Sequence, residues 1–326
     1  MPLRRSLIMA LPLSLVASTV ITGQDTTTLN AERRTVVIDS IAGLLDRLYV
    51  FPDVATKMKA DLRSRAAKGE YDSIREPDAF ARTLTEKLQA ISHDKHLRVR
   101  TGGPPQRRPG PAGGPPSGAG AFGRTERLAG DVAYVEIRSF GFPPEAVREA
   151  TRDIMSAAAD AKALIIDVRS NGGGSPHMVA LVSSYVFGDA PIHLNSLYFR
   201  PADRTDDFHT NPKVEGKKFG PDKPVFVLTS DRTFSAAEEF TYNLQTRKRA
   251  TIVGATTGGG ANPGGVERLP YGLHVFVPSG RAINPITKTN WEGVGVRPDV
   301  AVAADSALET AHKLALKAVA SPAHKH

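Results

Sequence analysis

The sequence predicts an α/β protein with a parallel sheet, preceded by a small helical region. Three observations predict it. From residue 126 onward, short apolar runs alternate with helix-period segments, a pattern that implies parallel strands joined by helical crossovers. Residues 31–92 instead carry apolar side chains at helical spacing throughout. Between them lies 102–123, where fourteen of 22 residues are Pro or Gly. Such a segment buries little apolar surface and reads as a linker or surface loop.

In order along the chain, Arg4 and Arg5 precede an apolar stretch, 7–21, broken only by small or polar residues. It is short for a membrane span, so a cleaved export signal over 1–23 is expected, with a periplasmic or extracellular destination. Val37, Ile41, Leu44, Leu45 and Leu48 then recur on one helical face. Val54, Met58 and Leu62 do so after Pro52, and Phe80, Leu84, Leu88 and Ile91 after Pro77-Asp78, prolines suited to a first helical turn. These three helices and a short strand near Leu97 and Val99 define an N-terminal helical domain, 30–101. The linker is assigned to 102–125 and an α/β core to 126–305. In that core, 132–137, 163–168, 225–229, 251–253, 273–277 and 281–284 read as strands, and 144–159, 176–187 and 235–245 as helices. A terminal helix and tail occupy 306–326.

Composition excludes several functions. The chain has 326 residues and no cysteine, which removes disulfides, thiolate metal sites, a cysteine nucleophile and a lipidated cysteine. Formal charge is +8, but the basic residues are scattered and not interleaved with aromatics, so nucleic-acid binding is not expected. No cofactor is implied. The pair His93 and His96 lacks a third ligand at suitable spacing, so no metal site is expected.

Chemistry concentrates in loops that follow apolar strands, where sites form in parallel α/β sheets. The first, 167–175, reads Asp-Val-Arg-Ser-Asn-Gly-Gly-Gly-Ser. Its glycines permit a tight turn with outward N–H groups able to hold an oxyanion, but the lysine of a phosphate-binding loop is missing. The second places Ser235 before Ala236-Ala237-Glu238 at the start of a helix. That serine could be a plain N-cap, or a nucleophile beside the Ala236 amide at the positive helix end. The third is Asn290-Trp291-Glu292-Gly293-Val294-Gly295-Val296-Arg297-Pro298-Asp299. A serine nucleophile needs a base, and His93 and His96 sit in the best context.

Together these motifs resemble the C-terminal-processing (tail-specific) serine peptidase family: an Arg-x-Asn-x-Gly-Gly strand end, a serine followed by Ala-Ala-Glu, and a Glu-Gly-x-Gly-Val-x-Pro-Asp turn, in that order over 36–304. The resemblance implies a crotonase-like (ClpP/crotonase) core and acyl-enzyme chemistry. One branch uses a Ser/Lys dyad, but Gly260 stands where that lysine would be. The other resembles the tricorn core and interphotoreceptor retinoid-binding protein. By that likeness Ser235 is the nucleophile, His96 the base and Glu292 the outer carboxylate, with Gly173 and Ala236 forming the oxyanion hole. Lys95 stands where tricorn has a second serine. The linker is too short and too polar for the PDZ module many relatives carry, so peptide or protein substrates would meet the catalytic cleft directly. Homo-oligomerisation is possible on this scaffold. Alternatives are a non-catalytic binder of apolar ligands and a general esterase.

Overall fold

The computed structural model describes residues 28–102 and 118–321; the expected signal and most of the expected linker lie outside them. Helix α1 (Ala31–Leu48) starts at Asn30, whose side chain accepts the Arg33 amide at 2.9 Å, a standard N-cap. Helices α2 (Pro52–Ala67) and α3 (Pro77–Ser92) each begin with proline, which loses no hydrogen bond there. Strand β1 (Arg98–Thr101) follows.

Strands β2 (Phe122–Leu128) and β3 (Val132–Ile137) open the second half. Then come α4 (Pro144–Ala158), β4 (Ala163–Asp167) and α5 (Pro176–Ser183). Strands β5 (His193–Phe199), β6 (Arg204–His209) and β7 (Val225–Thr229) precede α6 (Ala236–Thr246) and β8 (Thr251–Gly254). The chain closes with β9 (Gly264–Arg268), β10 (Leu273–Pro278), β11 (Gly280–Ile283), β12 (Val300–Ala301) and α7 (Ala307–Ala320).

The main sheet runs β12-β8-β7-β4-β3-β2, parallel except for β2. Alternation along its strands sends side chains to two cores. Val135, Leu164, Ile166, Val227 and Ile252 face α4, α5 and α6. Tyr134, Ile165, Phe226, Leu228 and Val253 meet Ala307, Ala311 and Ala315 of α7. Burial on both faces explains the continuous apolar runs in β4 and β7. Two small sheets, β1-β10-β9 and β11-β5-β6, flank it.

Several boundaries differ from the sequence expectation. The N-terminal helices do not close a core of their own: Leu45, Met58, Phe80 and Leu84 pack with Val275 and Val277 of β10. The expected linker ends earlier, because β2 pairs with β3 and buries Ala121 and Phe122. The helix expected over 176–187 stops at Ser183. Strands β6 and β9 escaped expectation because their exposed faces are polar or glycine-rich, and β5 because it buries the polar Asn195 and Ser196 among its apolar residues. Among the described residues, no helix is long and apolar enough to cross a membrane.

Candidate active site

Three loops meet at the carboxyl ends of β4, β7 and β8, the edge where open α/β sheets place their sites. Ser235 ends the loop after β7 and precedes α6. Its backbone has φ +54° and ψ −121°, a region that costs a non-glycine residue on the order of 1–3 kcal/mol. The surroundings hold it there. Its N–H donates to Glu238 Oε2 at 2.8 Å, and the Phe234 N–H donates to Asn171 O at 3.1 Å. The first-turn amide of Ala236 has no acceptor among the described residues, as expected of a helix N-terminus.

The glycine loop packs directly on this serine. Gly173 has φ +109°, and a Cβ there would lie 2.7 Å from Ser235 Cβ and 3.0 Å from Ala236 N. Any side chain would therefore fill the space in front of the Ala236 amide. The Gly173 N–H itself donates to Asn171 Oδ1 at 2.9 Å, so this expected oxyanion donor is engaged by its own loop. Asn171 is fully buried and its Nδ2 donates to Ile137 O at 3.1 Å, fixing the loop to the end of β3.

His96 enters from the turn between α3 and β1. The chain between His93 and His96 separates the two imidazoles: His93 is exposed and caps α3 at φ +55°, whereas the His96 side chain is 11% exposed. The His96 ring packs on Phe234 and Phe276, with centroids 4.6 and 5.6 Å away. Burial, with the charge of Arg98 second, pulls its pKa down to about 4. Its Nδ1 is buried without a hydrogen bond, 4.0 Å from Asp94 Oδ1, which leaves Nε2 as the nitrogen with access to the cleft. Among the described residues, no hydrogen bond joins Ser235 Oγ to His96.

Glu292 approaches from the turn after β11. Ligating atoms of Asp94, His96 and Glu292 lie within 4.8 Å of one another, the one such group among the described residues whose spacing could hold a metal ion. Glu292 Oε2 accepts the Ala261 N–H at 2.5 Å, while Oε1 is buried without a partner. Burial, then the nearby Asp94 charge, pushes its pKa up to about 8. Asp94 is also raised by burial, against hydrogen bonds from Asn262 Nδ2 at 2.9 Å and the His96 amide at 3.0 Å. The pair therefore retains a proton near neutral pH. The role of Asp94 is not visible in the sequence, where it reads as one more charged turn residue.

Glu238 is likewise not legible there as a residue in its own right. Its Oε1 accepts Thr257 Oγ1 at 2.5 Å and Gly259 N at 2.6 Å; its Oε2 accepts Ser235 N and Gly260 N, both at 2.8 Å. Burial still leaves its pKa raised. Ser235, His96, Phe234, Gly172 and Gly174 all line one cleft of about 440 Å³. A second recess, about 40 Å³, opens beside Ser235 and Ala236 and is walled by Leu197, Trp291 and the buried Glu239.

Residues 131–302 match the family model described as peptidase family S41. The chain belongs to peptidase family S41. Residues 23–119 match the N-terminal domain of Peptidase S41 in eukaryotic IRBP. A carboxy-terminal-processing protease of Bartonella bacilliformis is 26% identical over 187 residues, covering 54% of this chain and 40% of that protein. The chain thus spans well under half the length of this curated relative. A candidate peptidase from Parabacteroides merdae superposes with a TM-score of 0.61 at 20% identity, over 87% of this chain and 96% of that one. The tricorn protease superposes at 0.59 and 14% identity, over 89% of this chain and 37% of that one. At these identities the likeness is one of fold, and it bears out the crotonase-like α/β architecture with three N-terminal helices.

Gly260, which the sequence likeness sets where a dyad lysine would be, has no room for a side chain. A Cβ there would lie 2.3 Å from Phe234 Cζ and 2.7 Å from His96 Cε1. The His96 imidazole and Phe234 ring thus occupy the space a lysine stem would need. Lys95 is exposed, and its Nζ donates to Gly258 O at 2.6 Å. It ties the His96 turn to the loop after β8.

Proposed function

We propose that this member of family S41 is an exported serine peptidase with Ser235 as nucleophile, His96 as base, and Asp94 with Glu292 supporting the imidazole. The observation that carries the reading is the strained Ser235 at the start of α6, in one cleft with a buried histidine whose Nδ1 lies 4.0 Å from Asp94, with Glu292 within 4.8 Å of the same group. In the reaction, His96 Nε2 takes the Ser235 Oγ proton as Oγ bonds to the peptide carbonyl carbon. The oxyanion receives the free Ala236 N–H at the helix N-terminus, with the Gly172–Gly174 loop supplying the second donor. Gly173 serves as that donor once substrate competes for its N–H with Asn171 Oδ1. Collapse breaks the C–N bond, and the proton passes from His96 to the leaving amine. Water, deprotonated by the same imidazole, then releases the acyl group and restores the serine. The missing Ser235–His96 hydrogen bond is compatible with this, since such contacts often tighten only with substrate bound.

The carboxyl pair has a defined task in this scheme. One shared negative charge beside Nδ1 stabilises the imidazolium as it forms, offsetting the burial that otherwise disfavours it. The same spacing is therefore read as proton handling rather than metal binding. An apolar-ligand carrier is supported less well, because Lys95, Arg98 and Arg100 line the cleft. Export rests on the Arg4-Arg5 and apolar 7–21 pattern.

The test is covalent labelling. A fluorophosphonate probe should modify the purified protein on Ser235, and Ser235→Ala should abolish both labelling and peptide hydrolysis with unchanged circular dichroism. Labelling that persists in Ser235→Ala would refute the assignment, as would hydrolysis at the original rate.

A further inference from the structure

The β1-β10-β9 sheet turns one face toward the cleft, and that face is basic. Register places Arg98 opposite Phe276, and Arg100 opposite His274. On the other side of β10, Phe276 faces Val266 and His274 faces Arg268. Paired residues in a ladder project to the same face, so Arg100, His274 and Arg268 form one cross-strand row. Arg98 lies on the same face of the row beside it. Val99 and Val275, of the opposite parity, are buried against the N-terminal helices.

Like charges along one row of a sheet are unfavourable. Arg100 and Arg268 stand two strand spacings apart, about 10 Å. Among the described residues neither they nor Arg98 nor Lys95 forms an ion pair. The cleft lining includes Lys95, Arg98 and Arg100 and not one carboxylate. His274 does not relieve the charge: its Nδ1 donates to Gly102 O at 2.9 Å, because a carbonyl can only accept. A single anion over His274 would sit within a screening length of both flanking guanidiniums.

We propose that this face is a subsite for a carboxylate-bearing peptide segment. Substrates accordingly carry Asp or Glu beside the bond that Ser235 attacks. The inference deepens the peptidase reading and rests on it for the identity of the occupant. A peptide fits better than a nucleic acid, because the charged face adjoins Ser235 and its one phenyl ring, Phe276, is already stacked on His96 rather than free for a run of bases.

The experiment separates the subsite from the chemistry. Full-length Ser235→Ala protein is titrated by fluorescence anisotropy with labelled ten-residue peptides bearing paired Glu, Gln or Lys at matched positions. Each peptide is made with a free and an amidated C-terminus. The Glu peptide should bind roughly ten-fold tighter than the Gln peptide, the size expected of a few solvent-screened charge contacts. The advantage should shrink between low and high salt. It should also vanish when Arg98→Gln and Arg100→Gln are added, in a protein of unchanged thermal midpoint. A Glu-over-Gln preference that survives amidation supports the proposal; affinity that follows the free terminus alone, whatever the side chains, overturns it. Equal affinity for Glu and Gln peptides overturns the proposal, as does indifference to the two arginine substitutions. Tighter binding of a single-stranded oligonucleotide of equal charge would overturn it in favour of a nucleic-acid surface. If acidic peptides bind but fluorophosphonate fails to label wild-type protein, the catalytic assignment falls and the subsite stands.

Discussion

Replacing His96 by glutamine should change how stability depends on pH, by an amount the site's burial sets. The His96 pKa falls from 6.5 to about 4, chiefly through burial and then through Arg98. The unfolded chain takes up the proton near 6.5, whereas the folded chain resists until about 4. The unfolded state therefore binds more protons in this window, and stability is lost as pH falls from about 6.5 to about 4. Each tenfold difference in proton affinity between the two states is worth about 1.36 kcal/mol, so the loss is on the order of 3 kcal/mol. Urea unfolding of wild type and His96→Gln at pH 8, 6, 5 and 4 isolates this contribution, because the other titrating groups largely cancel in the difference. The variant should gain on wild type by about 3 kcal/mol between pH 8 and pH 4. Activity should follow the same group: kcat/KM for a peptide should stay level through pH 6.5 and fall only near 4–5. An acid limb centred at 6.5, together with parallel stability profiles, would show that His96 is solvated and the buried-base argument is wrong.

Further expectations concern the neighbouring carboxyls and the loop after β8. Glu292 holds its proton to about pH 8, so kcat/KM should rise through that pH as a second negative charge appears beside His96. Glu292→Gln should flatten the rise, and a pH profile decides it. Gly260→Ala forces a methyl against Phe234 and His96; overpacking of this kind costs about 1–3 kcal/mol. Fluorophosphonate labelling should fall by orders of magnitude in a protein that still melts cooperatively, and a wild-type rate would refute the contact. Glu238→Gln presents an NH2 to amides that now meet an oxygen, at roughly 1–3 kcal/mol for each donor left unpaired. Slower labelling of Ser235 and a lower thermal midpoint should appear together.

What the sequence revealed follows from the physics of each element. Strands β4 and β7 are buried on both faces, so they stand out as apolar runs, and α1 to α3 bury one stripe each. Ser235 stood out only as an N-cap or a nucleophile opening a helix after such a strand, and the family likeness chose between the two. His96 and His93 stood out together through their turn, and only the likeness to the tricorn core favoured His96, since spacing alone cannot separate them. Asp94 and Glu238 were not, because their chemistry depends on partners far along the chain. Asp94 meets Asn262, and Glu238 meets Thr257, Gly259 and Gly260. Nothing local distinguishes such carboxylates from solvated ones. The domain boundaries blurred for the same reason: β10 completes the N-terminal core from more than 170 residues away in sequence.

This arrangement makes the proposed machinery conditional on docking. Ser235 belongs to the main sheet, whereas His96 and Asp94 belong to the α3–β1 turn. The contacts that join them are few and specific: Lys95 Nζ to Gly258 O, Asn262 Nδ2 to Asp94 Oδ2, and the His96 ring on Phe234. Each ends on the loop after β8 or on the residue before the nucleophile. In the Ser/Lys branch, base and nucleophile would both lie on the main core, and that loop would carry the base. Here Gly260 leaves room for an imidazole supplied by the N-terminal part, so on the proposed reading the loop receives the base instead. A lysine base would survive loosening of the helical part, whereas this histidine would not, because proximity contributes much of the rate advantage. Weakening the docking through Asn262→Ala should therefore lower turnover more than it lowers the stability of the main sheet. Comparing the labelling rate of Ser235 with hydrogen exchange in β4 and β7 reads the two effects separately. Proportional losses in both would mean that the turn serves the fold as a whole rather than the base.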